Sequence, residues 1–237
     1  MCDKSRRSDH DGVVQDEAVT EQPGRREAHK RATTAALRDA AARLIAERGY
    51  EATTVRDVAR SAGVTERTFY RYFDGKEGLV AEEYHRWLVM LQQAIISQPV
   101  GVPPFAAIQQ ALLSTARTRA ESGPLLLLSD LPTLAGLRRS APRPLQRLET
   151  AIAEAIKPRL RAAGASGNRA AGNDADDEFR AQVIARAAAS ALRSVIIWHR
   201  EQLDVGAGSP ATARELLDRA FAIIAADARR EPEERRD

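Results

Sequence analysis

Cysteine is nearly missing from this sequence: Cys2 is the one occurrence in 237 residues. That excludes a disulfide framework and any cysteine-rich metal site, and it points to a reducing compartment, the cytoplasm. An excess of one charge is also missing, with 36 Lys and Arg against 33 Asp and Glu, a net of +3. A protein that holds nucleic acid by bulk charge is excluded, so any nucleic-acid site must be local. No apolar run approaches the roughly 18 residues of a membrane-crossing helix, and no membrane partner is expected. The N-terminus is polar with mixed charge, unlike a signal peptide. The four histidines (10, 29, 85, 199) are scattered, and no nucleophile elbow, metalloprotease pair, phosphate-binding loop or dinucleotide fingerprint is present. No enzyme, cofactor or metal is expected. Period-2 alternation of β-branched residues is absent too, which leaves an all-α class. Aromatics are scarce, eleven in all, yet four of them fall within Phe69 to Phe73.

The chain divides by pattern. Residues 1–28 hold seven acidic and five basic residues, no aromatics and little apolar periodicity, and read as a disordered tail. From Lys30 onward Ala36, Leu37, Ala40, Ala41, Leu44 and Ile45 recur at helical spacing, and Gly49 supplies a left-handed stop. Three helix starts follow closely. Thr54 with Asp57 forms a capping-box variant, Thr65 offers a second N-cap, and Asp74 with Glu77 a third. Beyond Glu77 helices are expected with breaks at Pro99, Gly123-Pro124 and Gly206–Gly208. Pro158 is expected to kink or shorten one of them, and residues 164–177 to form a long mobile loop. The tail from residue 230 should fray.

The informative stretch is TVRDVARSAGVTERTFYRYFDGK, residues 54–76. Val58, Ala59, Ala62, Val64, Phe69 and Phe73 suit one small core, and Gly63 sits where a helix-turn-helix needs its turn. Thr65, Glu66, Arg67, Thr68, Tyr70, Arg71 and Tyr72 are assigned to the second helix. Phe69 and Phe73, four apart, share a helix face, and Tyr70 and Tyr72 cannot share it. Two tyrosines set outward beside Arg67 and Arg71 suit a surface that grips phosphate and reads base edges. Residues 29–80 carry ten basic and seven acidic side chains, so the local excess lies where such a site needs it.

Gly49-Tyr50, Thr53 to Ala59, Ala62 to Thr65, Thr68 to Tyr70, Tyr72-Phe73 and Lys76 to Leu79 together resemble the DNA-binding domain of the TetR/AcrR family of transcriptional regulators. The resemblance covers about 60 residues. It implies a three-helix reader over residues 29–80 and a larger helical ligand-binding and dimerisation domain over 81–229. Thr54 would cap the first short helix and meet phosphate, with Arg56 one turn in reaching base or phosphate. Thr65 would cap the recognition helix, with Arg67 and Thr68 as base readers and Arg71 as a further candidate. Tyr70 and Tyr72 would bond phosphate and stack on sugar or a thymine methyl. Lys76 would hold a phosphate at the next helix start.

The same resemblance implies a homodimer on a palindromic double-stranded DNA operator, because one recognition helix reads few base pairs. The dimer surface expected is the last two helices, about 179–203 and 210–228. There Ala181, Ala185, Ala188, Ala189, Ser190, Ala191 and Leu192 would allow close packing beside a stripe of Leu216, Leu217, Ala220, Phe221, Ile223 and Ile224. A small lipophilic effector would sit among the middle helices, lined by Trp87, Leu91, Phe105, Leu127 and Trp198. The function expected is a sequence-specific, ligand-responsive transcriptional repressor, with a transcriptional activator or a ligand-independent DNA-binding regulator as the alternative.

Overall fold

The computed structural model describes residues 23–122, 143–166, 174–204 and 212–227. Among them are eight helices and no strand: α1 (Pro23–Arg48), α2 (Val55–Ser61), α3 (Glu66–Tyr70), α4 (Gly75–Ile96), α5 (Pro104–Ser122), α6 (Pro144–Ser166), α7 (Asp174–Asp204) and α8 (Ala213–Asp227). The fold is all-α, with α1 to α3 as an N-terminal helix-turn-helix and the remainder as a helical body.

The head is built from local devices. Gly49 at φ 81° ends α1, its N–H bonding the Ile45 carbonyl at 2.8 Å, and Tyr50 folds back into the core. A glycine takes this conformation without the Cβ clash that other residues meet. Thr54 caps α2 through a full capping box with Asp57, satisfying N–H groups that the first turn leaves bare. Gly63, at φ 71°, turns the chain into α3, which Thr65 caps by accepting the Thr68 N–H at 3.1 Å.

Several expectations are corrected here. The helix α1 begins at Pro23, inside the segment read as a tail; proline suits a first helical position because its missing N–H would be unpaired there anyway. Asp74 makes no side-chain cap bond, and α4 is entered instead through a left-handed Gly75 at φ 72°. Helix α3 stops at Tyr70, so Arg71 and Tyr72 lie just beyond it. Helix α6 runs on through Pro158 to Ser166. The expected loop at 164–177 therefore shrinks, since α7 starts at Asp174, and three of its first four residues are acids that suit the positive helix end.

In the body α6 lies between α4 and α7, α5 packs on α4, and α8 packs on α7. Phe105 stacks on Phe221 with centroids 4.5 Å apart, and Gln109 Nε2 donates to Asp218 Oδ1 at 2.9 Å, so α5 is tied to α8. Arg159 on α6 is buried and donates to the carbonyls of Gln98, Pro99 and Val102, so it holds the connection between α4 and α5. Among the described residues no helix is long and apolar enough to cross a membrane.

Candidate nucleic-acid interface

The outward face of the head is held from behind. Phe69 is fully buried, its ring 5.6 Å from Phe73 and edge-on to Tyr70 at 5.7 Å. With that face turned inward, Tyr70 is left 58% exposed, although a tyrosine ring has apolar area to bury. Arg67 and Glu66 are exposed beside it, and Thr68 is half-buried. Thr65 Oγ1 lies 3.0 Å from Thr68 Oγ1, so the two hydroxyls form one polar edge at the α3 N-terminus. Arg56, on the first turn of α2, is exposed as well. The surface thus offers guanidinium forks, hydroxyls and an aromatic face on one short helix and its neighbour.

The hydroxyl of Thr54 is already engaged, accepting from Asp57 N–H and donating to Asp57 Oδ2 at 2.6 Å. That bond holds the Asp57 carboxyl below its ordinary value, against a smaller push from burial. Arg71 lies over the Tyr72 ring, 5.2 Å from its centroid, and Tyr72 is only half-buried. Lys76 is more occupied than its sequence context suggests. Its Nζ donates to the Tyr50 carbonyl at 3.0 Å and the Thr53 carbonyl at 3.3 Å, and it lies 4.2 Å from the Tyr50 ring centroid. An ammonium has three donors, and these two carbonyls take two of them.

Sequence comparison agrees with this geometry. Residues 37–82 match the family described as bacterial regulatory proteins, tetR family. The head matches the TetR family over these residues. Within the curated relatives, the HTH-type transcriptional repressor KstR2 of Rhodococcus jostii is 54% identical over 46 residues, 19% of this chain and 22% of that protein. The uncharacterized HTH-type transcriptional regulator YvkB of Bacillus subtilis is 44% identical over 50 residues, 21% of this chain and 26% of that protein. The chain thus matches about a quarter of the length of these relatives. The FadR repressor of Thermus thermophilus, solved with lauroyl-CoA, aligns over 88% of this chain and 98% of its own, with a TM-score of 0.49 and 20% identity.

Behind the head, the described residues expected to line an effector cavity are placed as follows. Trp87 is buried against Tyr84, Leu91 is fully buried, and Phe105 is stacked on Phe221. These are core side chains, placed by the same apolar character that suggested a lining. Trp198 points outward and is 54% exposed. Leu127 lies outside the described residues.

Of the residues assigned to a dimer surface, most turn inward, while Ser190 and Ile223 stand exposed. Ala181, Ala185, Ala188, Ala189, Ala191 and Leu192 are all buried within this one chain, as are Leu217 and Phe221. The outward face of α7 carries Phe179, Val183, Arg186, Ser190, Ser194 and Trp198 instead. Sequence reading also missed Arg38, which ties α1 to α4 by pairing with Glu82 and, at 2.9 Å, with Glu83. A lone arginine inside an amphipathic helix carries no local sign of such a partner.

Proposed function

We propose that this protein is a transcriptional repressor that binds a palindromic DNA operator as a homodimer, acts in the cytoplasm and releases DNA on binding a small effector. The observation that carries the reading is the outward face of α2 and α3: Arg56, Arg67 and Tyr70 stand exposed on a head whose Phe69 and Phe73 are locked inward. In a helix-turn-helix the second helix enters the major groove and presents its N-terminal residues to base edges. Thr65, Arg67 and Thr68 occupy that end, with Arg67 suited to a guanine edge and the hydroxyls to bases or phosphate. Tyr70, Arg71, Tyr72, Thr54 and the third N–H of Lys76 take sugar and phosphate.

The dimer reading is supported by the unpartnered apolar side chains of the last two helices. Val183 and Trp198 on α7 and Ile223 on α8 are 47%, 54% and 55% exposed, and aromatic and aliphatic residues of this kind are those that interfaces cover. Two heads on one dimer axis give the paired half-sites that a palindrome requires. Effector control is supported by α4, which belongs to head and body at once, so a molecule bound in the body can favour one placement of the head through its differential affinity.

The test is a mobility shift on duplexes selected from a random pool. Arg67→Ala should cost about 1–3 kcal/mol at the selected site and relax preference at one or two positions. Tyr70→Ala should weaken binding on all duplexes alike. Unchanged affinity in both variants would sink the assignment of this face.

A further inference from the structure

Helix α4 and the start of α6 border an open groove of about 410 Å³, with His85, Leu88 and Val89 on one wall and Arg147 and Ala151, with Arg143 just before the helix, on the other. Two bonds pin the walls together: the Tyr84 hydroxyl donates to the Pro144 carbonyl at 2.6 Å, and Gln92 Nε2 to the Ala151 carbonyl at 3.2 Å. The groove is therefore part of the packed body rather than a gap between loose parts.

Its charge is unbalanced. Arg143 and Arg147 stand one turn apart at the start of a 23-residue helix whose first turn holds no acid. Cations there oppose the helix dipole, and like charges at this spacing repel. Among the described residues neither arginine has a carboxylate within ion-pair distance. Of the other cations in the fold, Arg38, Arg86, Lys157, Arg161 and Arg186 each pair with an acid. Arg147 Nη2 faces His85 Nδ1 at 3.1 Å, and a guanidinium has only donors, so it draws on the imidazole as acceptor. Among the described residues the Arg143 side chain reaches the Gln146 amide oxygen, at 3.4 Å, and the residue is held at φ 64°. The polar Gln92, Gln146 and Thr150 also line the groove, beside an apolar strip in which Leu88 and Ala151 are buried and Val89 is 44% exposed.

We propose that this groove binds an amphipathic anion, a carboxylate or phosphate carried on a short apolar tail, with the head group on Arg143 and Arg147 and the tail along Leu88, Val89 and Ala151. The claim deepens the effector reading above and rests on it only for the consequence at DNA. That consequence has a route. His85 lies one turn beyond Glu82 and Glu83, the acids that hold Arg38 of the head.

The experiment is a calorimetric titration of the full chain with octanoate, octyl phosphate, octan-1-ol and inorganic phosphate. The two charged amphiphiles should bind at least tenfold tighter than the alcohol or the bare phosphate, and the tighter of the two names the head group. Arg147→Gln should weaken both by about tenfold, and Arg147→Lys should keep part of the affinity. Arg161→Gln, the same charge change at the far end of α6, should leave it alone. Were Arg147→Gln not to fold, Val89→Glu on the exposed wall gives the same reading by repulsion. Octanol binding as well as octanoate, or affinities indifferent to Arg147→Gln and Val89→Glu, would overturn the site. Mobility shifts with the same probes separate the two claims. Binding without any change in DNA affinity keeps the groove and overturns its effector role. Release that survives Arg147→Gln keeps effector control and overturns this site.

Discussion

Lys76→Met separates the two duties of one side chain. In the fold its ammonium ties the α1–α2 turn to α4 by two bonds to backbone carbonyls and by its position over the Tyr50 ring. A hydrogen bond from a charged donor is worth roughly 1.5–3 kcal/mol when buried. Here the side chain is 21% exposed and the second bond is long, so water replaces part of the loss and the pair is worth about 1–1.5 kcal/mol. The cation over the ring adds about 0.5–1 kcal/mol, and methionine keeps the aliphatic stem in place. The ion pair to Glu51, at 4.0 Å with that carboxylate 74% exposed, adds nothing measurable. Destabilisation should therefore be about 2 kcal/mol, a fall of roughly 4–8 °C in Tm for a chain of this size, read by circular dichroism with heat and with urea. DNA affinity against salt reads the other duty. If the third N–H holds a phosphate, the log–log slope should fall by about one. An unchanged unfolding midpoint would refute the structural tie, and a destabilised variant with an unchanged slope would refute the phosphate contact.

Three further outcomes follow from the same structure. Phe69→Ala empties a fully buried site at the centre of the head and should cost about 3–5 kcal/mol in urea unfolding; a loss below 1 kcal/mol would put the ring outside the core. Asp57 has its carboxyl held low chiefly by the Thr54 hydroxyl, so its folded pKa lies below its unfolded one. The stabilisation is then complete above the ordinary carboxylate range and is lost as pH falls through the folded value, and Thr54→Val should flatten that acid limb in a pH series of unfolding midpoints. Trp198→Glu should turn a sedimenting dimer into a monomer with little change in the fold of each chain, because the indole is 54% exposed; a dimer that persists would remove α7 from the interface.

The head was legible because its devices are local. A glycine that must turn left-handed, a threonine three residues before its partner and a phenylalanine pair four apart each carry their geometry within a few residues, and Gly49, Thr54, Gly63, Thr65, Phe69 and Phe73 all stand as read. Asp74 failed by the same logic, since the neighbouring Gly75 offered the chain another way into α4. The body was less legible because alanine has no preferred side. Ala181, Ala185 and Ala188 make a stripe that fits an inner core or a partner equally well, and only the position of α6 against α7 decides between them. The bonds of Lys76 were hidden for a related reason: they reach carbonyls 23 and 26 residues away, which no spacing rule exposes.

Helix α4 is where these levels meet. Its 22 residues span about 33 Å at 1.5 Å per residue, and they carry two cores in series. Leu79 and Val80 lie at the head end, Leu88, Leu91 and Ile95 lie in the body, and all join one connected cluster of buried residues. A packed core does not deform continuously, so a shift imposed on one half of the helix has to be taken up by the other half or by the contacts beside it. Those contacts are the Arg38 pairs with Glu82 and Glu83, set between the head core and the groove at His85. On the proposed reading, control of DNA binding needs no long path through the body: it would be enough for an anion in the proposed groove to hold α4 and α6 at a spacing that the free protein adopts less often.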